Sequence, residues 1–235
     1  MRSLRFLSAA LAAVTLAAAA APAEANVRQM VVFRSGKALT KSVSTRGLKV
    51  KVGRKRCAVA SRTPLAALFR SHPGRIGLKD FGACSRDPRD ATQLFVRSIR
   101  LDKNKGRRGW VYKVGRKVSS SGAGDRSGRR LRGGDRLLWF YCRAQRTGGC
   151  QRTLEATPDR TAAAPGETVR VTVRGYDDQG RGAAVAGATV RLGSASATTD
   201  AAGVAQIAVA GAGRVALTAT RAGMVPAFPG EVRAG

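Results

Sequence analysis

LRGGDRLLWFYC, residues 131–142, is the stretch on which the fold reading turns. Gly133-Gly134-Asp135 is a turn signal, and a strongly apolar strand follows it. Side chains alternate across a strand, so Trp139 and Tyr141 share one face while Leu138 and Phe140 share the other. Both faces are apolar. One of the two sets must face out or meet a helix.

Working outward, GWVYKVG at 109–115 has the same character, with Trp110 and Tyr112 on one face. Residues 94–101 (LFVRSIRL) and 27–34 (VRQMVVFR) also read as strands. In GLKVKV at 47–52, Leu48, Val50 and Val52 line one face, and Lys49 and Lys51 form a cationic outer row. Gly53 then opens a turn that carries Arg54, Lys55 and Arg56 into Cys57. KVGRK occurs twice, at 51–55 and 113–117, which predicts two similar turns rather than a duplicated domain. Thr63-Pro64 starts a short helix, Thr63 as cap and Pro64 in the first helical position, with Leu65, Leu68 and Phe69 as its apolar stripe. The stretch from Ser71 to Arg89 reads as irregular loop, and the Ser/Gly/Arg segment 119–130 as mobile.

From Leu154 onward the pattern changes. Val169, Val171 and Val173 alternate with Arg170, Thr172 and Arg174, and short strands follow with regular Gly/Asp punctuation. That spacing predicts an all-β sandwich. The expected fold class is therefore mainly β with one short helix in the first domain (α+β), then an all-β sandwich. The expected divisions are 1–25, 26–153 and 154–235.

The first division is a signal peptide. Arg2 and Arg5 precede an apolar run from Phe6 to Ala21, and Ala23-Glu24-Ala25 supplies a small-x-small cleavage site. No later run reaches the ~20 apolar residues of a membrane helix. The expectation is a secreted, extracellular protein acting at or near the cell envelope. Four cysteines, Cys57, Cys84, Cys142 and Cys150, suit an oxidising compartment as two disulfides. Of three connectivities, Cys57–Cys84 with Cys142–Cys150 is preferred because each closes a local loop. Zinc is disfavoured: there is no C-x-x-C pair, and His72 is the single histidine.

Residues 94–142 resemble the small β-grasp-like domain that secreted bacterial proteins share with the C-terminal domain of transcobalamin. The resemblance rests on Gly109, Trp110, Tyr112, Val114 and Gly115, then on Leu131, Gly134, Asp135, Trp139 and Tyr141. The family's Asn-Gly after the W-x-Y-x-V strand is here Gly115-Arg116. In transcobalamin this domain encloses a corrinoid together with a large helical domain, and this sequence has no segment of that kind. The resemblance implies the fold and, more remotely, a corrinoid-like flat ligand. Residues 154–233 resemble bacterial immunoglobulin-like or carboxypeptidase-regulatory-like domains, through PGETV after Pro158, GATVRL, TDAAGVA and VALTATRAG. Such modules act as spacers or adhesion units.

Charge is divided as sharply as pattern. Residues 26–153 hold 33 Lys/Arg against 6 Asp/Glu, while 154–235 hold 8 against 7. A field of that strength attracts polyanions such as wall polymers, nucleic acid or anionic headgroups, the alternative being a merely solubilising surface. Arg107, Arg108, Arg129, Arg130 and Arg132 lie in the loops around the two tryptophan strands and are the candidate anion contacts. Trp110, Tyr112, Trp139 and Tyr141 are candidate stacking residues, with core packing the preferred alternative.

Catalysis finds little support. His72 stands alone in a basic loop without an orienting partner, and Asp87 and Asp90 flank arginines as salt-bridge partners. Gly122, Gly124 and Gly128 do not make a nucleotide loop. Asp177, Asp178 and Asp200 are better explained as turn residues than as calcium ligands. No cofactor is expected. The reading is a non-enzymatic binding protein for an anionic envelope polymer, with a carrier of a small flat ligand as the alternative.

Overall fold

A computed structural model describes residues 26–82, 84–125, 130–146 and 148–235. Residues 1–25, the expected signal peptide, and Arg129 lie outside these residues. The fold is mainly β, with several sheets.

The first half runs β1 (Asn26–Val32), β2 (Ala38–Ser44), β3 (Leu48–Val52), β4 (Lys55–Val59), α1 (Pro64–Arg70), β5 (Ile76–Asp80), β6 (Leu94–Ile99), β7 (Asp102–Lys103), β8 (Gly109–Val114), β9 (Lys117–Val118) and β10 (Arg136–Cys142). Its main sheet has the order β2-β1-β10-β8-β9, with β1 and β10 parallel at the centre and the other neighbours antiparallel. α1 buries Leu65 and Leu68 in the same apolar cluster as one face of that sheet. Thr63 caps the helix, its hydroxyl accepting from the Ala66 N–H, which satisfies one of the otherwise orphaned first-turn donors. β3 and β4 form a separate hairpin, and β5-β6-β7 a small third sheet.

The two KVGRK copies are hairpin turns. Gly53 joins β3 to β4 with φ +59°, and Gly115 joins β8 to β9 with φ +69°. A side chain with a Cβ is strained in that left-handed region.

Two expectations need correction. The stretch 71–89 contains β5, which pairs with β6 across a register shift at Gly77/Leu78. Gly77 lies so close to β6 that a Cβ there would stand 2.4 Å from the Ser98 hydroxyl, so its glycine marks a close approach and not a loop. Residues 119–125 are tied down rather than mobile. The Tyr112 hydroxyl donates to the Ser121 carbonyl at 2.7 Å, and the Leu65 N–H donates to the Ala123 carbonyl. Of the remainder of that segment, 126–129 lie outside the described residues.

The second half runs β11 (Thr153–Pro158), β12 (Ala162–Ala163), β13 (Thr168–Tyr176), β14 (Gly182–Ala184), β15 (Thr189–Leu192), β16 (Ala195–Thr198), β17 (Val204–Ala208), β18 (Gly213–Thr220) and β19 (Gly230–Ala234). One sheet is β11-β13-β14 with β17 also on β13, and the other is β12-β19-β18-β15-β16. Val169, Val171 and Val173 from the first and Val190, Leu192 and Leu217 from the second meet in one core.

A third apolar cluster joins the halves. Met30, Val32, Leu138 and Phe140, from the face of the main sheet away from α1, pack with Val225 and Phe228. The second half therefore covers that face. Lys113 of β8 is fully buried there, and its ammonium donates to Thr153 Oγ1 and to the carbonyls of Tyr176 and Asp177 at 2.8–3.2 Å. Burial pulls its pKa from 10.5 down to about 8, against the opposing pull of Asp178 and Asp177.

The cysteines pair as preferred, Cys57 with Cys84 and Cys142 with Cys150. No helix among the described residues is long and apolar enough to cross a membrane. Both observations are compatible with a secreted protein.

Candidate functional site

The four candidate stacking residues are core residues. Trp110, Tyr112, Trp139 and Tyr141 all face α1, and Trp139 is 1 % exposed. Trp110 meets Tyr141 edge-on at 5.8 Å between ring centres, and Tyr112 lies against Trp139 at 5.1 Å. Their polar atoms are mostly spent within the fold. The Trp110 indole donates to the Asp102 carbonyl, the Tyr141 hydroxyl to that of Lys103, and burial raises the Tyr112 phenol. The candidate stacking role of these four residues is thus corrected in favour of the core packing preferred for them, because the helix side of the sheet gains more by burying large rings than by showing them. One feature of the alternative persists. Trp110, Tyr112 and Trp139 line a cavity of about 190 Å³ with Phe95, Ser119 and Ser121. The buried Trp139 Nε1–H has no partner among the described residues.

The candidate arginines do not form one patch. β8 runs antiparallel to β10 with Gly109 opposite Cys142. Arg107 and Arg108, just before Gly109, therefore stand at the far end of β10, while Arg130 and Arg132 precede its start. Seven residues at ~3.3 Å each put these ends about 20 Å apart. All four are exposed.

The far-end pair finds company that sequence spacing did not disclose. Arg108 lines a cavity of about 360 Å³ with Arg34, Tyr141 and Arg143. On its other side Arg107, Arg108 and Lys105 line a groove with Phe95. Phe95 is 44 % exposed and packs edge-on against exposed Phe81, over which the Lys79 ammonium sits at 4.3 Å. The exposed aromatics among the described residues of the first half are thus two phenylalanines, Phe95 on β6 and Phe81 just past the end of β5. The signal for Phe95 was present in LFVRSIRL, where it alternates outward with Arg97.

A second cationic surface is the β3-β4 hairpin. Its inner face presents Val50, Cys57 and Val59 to the core, and its outer face carries Lys49, Lys51 and Arg56, with Arg54 at the turn. Lys51 stands directly opposite Arg56 in the ladder. Like charges in that position are destabilising. Lys55 reaches Asp80 at 3.6 Å, but none of Lys49, Lys51, Arg54 and Arg56 pairs with a carboxylate among the described residues.

The remaining chemical candidates have structural roles. His72 is exposed in a left-handed turn after α1 (φ +50°). Asp87 pairs with Arg89 at 2.7 Å, and Asp90 accepts from the Ser85 hydroxyl. Asp177 accepts from the Arg181 N–H and guanidinium, which hold its carboxyl below the ordinary carboxylate range. Asp178 accepts from the Cys150 N–H, and Asp200 from the Val204 N–H. Gly122 and Gly124 lie against the carbonyls of Thr92 and Ala91, where a Cβ would not fit.

Compared with known proteins, the chain matches no family model and no curated sequence.

Proposed function

We propose that this is an exported, non-enzymatic binding protein whose basic first half engages an anionic polymer of the cell envelope. One observation carries the reading: the β3-β4 hairpin holds Lys51 opposite Arg56, flanked by Lys49 and Arg54, with no carboxylate among the described residues paired to any of the four. A bound polyanion would relieve repulsion that the free protein carries. The order β2-β1-β10-β8-β9, its parallel central pair and α1 on one face support a β-grasp-like first domain, and the two sheets around one core support an immunoglobulin-like second domain. In this reading the second domain is a platform packed on the first.

Binding of purified wall polymer, followed by titration calorimetry, should weaken by at least about tenfold between about 50 and 200 mM salt, because counterion release drives it. Affinity unchanged by salt overturns the proposal. A second reading, a carrier for a small flat ligand, draws on the cavity beside the unpartnered Trp139 Nε1–H. At about 190 Å³ it is smaller than the ~300–1,000 Å³ of most ligand pockets. Trp139→Phe removes that donor, and a planar ligand bound equally well by this variant counts against the carrier.

A further inference from the structure

The corner where β10 ends has a character distinct from the hairpin. Arg34 follows β1, Arg108 precedes β8 and Arg143 follows β10, so three separate segments deliver an arginine to one cavity of about 360 Å³, walled on its fourth side by Tyr141. Two hydrogen bonds shape it. Arg143 Nη2 donates to the Arg34 carbonyl at 2.5 Å, which holds that side chain across the corner. Asp102 accepts from the Arg34 backbone N–H at 2.9 Å. No guanidinium of the three pairs with a carboxylate among the described residues. All three are arginine, in a half that carries 23 arginines and 10 lysines. A guanidinium presents a planar fork that matches two oxygens of a phosphate, whereas an ammonium acts as a point charge.

We infer that this corner is a selective subsite for a phosphodiester group, and that the envelope polymer bound by the first half is a polyol phosphate rather than a polycarboxylate. The inference rests on the polyanion reading and deepens it. Arg108 also borders the groove that contains Lys105, Arg107 and Phe95. The phosphate held at the corner would therefore have its next unit lying along a cationic trough with one apolar wall. Nucleic acid is less well served, since the tryptophans and tyrosines are buried and Phe95 is the one exposed ring lining the trough on which a base could stack.

The test compares poly(glycerol phosphate) with polyglutamate of matched length and charge, by calorimetry at low salt, on the full chain. Wild type should prefer the phosphate polymer. R108Q/R143Q should bind it about tenfold more weakly and bind polyglutamate nearly as before. Arg143→Lys keeps the charge but loses the fork, and should erode the preference without lowering polyglutamate binding. These residues are exposed, and near-ultraviolet circular dichroism verifies that the variants are folded. Equal binding of the two polymers by wild type overturns the inference while leaving the broader polyanion reading intact. So does a preference that survives in R108Q/R143Q. Tighter binding of a charge-matched single-stranded oligonucleotide overturns the assignment to a polyol phosphate. Failure to bind any of the three polymers overturns both readings.

Discussion

The two halves of the molecule treat an arginine differently. In the second half Arg160 pairs with Glu167, Arg181 with Asp177 at 2.8 Å and Arg214 with Glu231 at 3.6 Å. In the first half the outward cations of β3 and β4 face one another, and those around Arg34 face a cavity. Where the first half does find acids near its main sheet, one is borrowed: Glu155 of β11 accepts from both Arg116 and Arg136. Within the first half Lys55 and Arg89 find Asp80 and Asp87, while Lys49, Lys51, Arg54 and Arg56 of the hairpin and the three corner arginines have no carboxylate partner among the described residues.

The largest expected effect breaks the comparison directly. Neutralising Lys49, Lys51, Arg54 and Arg56 to Gln should weaken polymer binding by about tenfold or more, whereas neutralising the same number in the second half, Arg170, Arg174, Arg191 and Arg233, should change it less than about twofold. Equal losses in the two variants, measured by calorimetry, would show that total charge matters and its placement does not.

Next in size is the junction. Lys113→Ala leaves Thr153 Oγ1 and two carbonyls without their donor and should cost about 1–3 kcal/mol in urea unfolding. The pH dependence has a definite sign. The folded state holds the Lys113 pKa at about 8, below its ordinary 10.5, so between these values the unfolded chain binds the extra proton. Stability should therefore rise as pH increases from 8 towards 10.5, and the rise should be shallower in Lys113→Ala. Parallel curves for the two proteins would remove Lys113 from the account.

A smaller effect is expected for Glu155→Gln. It releases two arginines at a partly exposed site, so stability should fall by less than about 1 kcal/mol, and polymer affinity should rise slightly as the borrowed negative charge disappears. The smallest change is also the most diagnostic. Lys51→Glu turns the like-charge pair with Arg56 into an opposite-charge pair, and should stabilise the protein by about 0.2–1 kcal/mol while weakening polymer binding. A variant that loses stability would mean that the hairpin's repulsion is already relieved in the free protein.

Much of the fold was legible because period-two patterns survive wherever a strand has one wet face. Lys49 and Lys51 against Leu48, Val50 and Val52 is such a case, as is Val169, Val171 and Val173 against their polar neighbours. β5 was hidden because Gly77 and Ser98 meet too closely for an ordinary side chain, which leaves Ile76 as the strand's one β-branched residue. The double coverage of β10 was half legible: Leu138 and Phe140 alternate with Trp139 and Tyr141, an apolar run on both faces that demands two covering layers. Composition could not say that the second layer is the other half of the chain. The candidate site was the least legible. Arg107 and Arg108 were found, but their partners Arg34 and Arg143 lie far away in sequence and are brought together only by the parallel pairing of β1 with β10. Arg130 and Arg132 looked adjacent and lie at the opposite end of the strand.

The packed junction bears on how the molecule would travel. Because Phe140 and Met30 meet Val225 and Phe228, and Lys113 is anchored in backbone carbonyls of the other half, the highly positive and the nearly neutral body are fixed against each other. The chain is then a permanent electric dipole with a heading, rather than a charged bead on a slack tether. In the field of an anionic surface such a body is turned before it touches. Its basic end arrives first, and the neutral end is left pointing outward, towards whatever lies beyond.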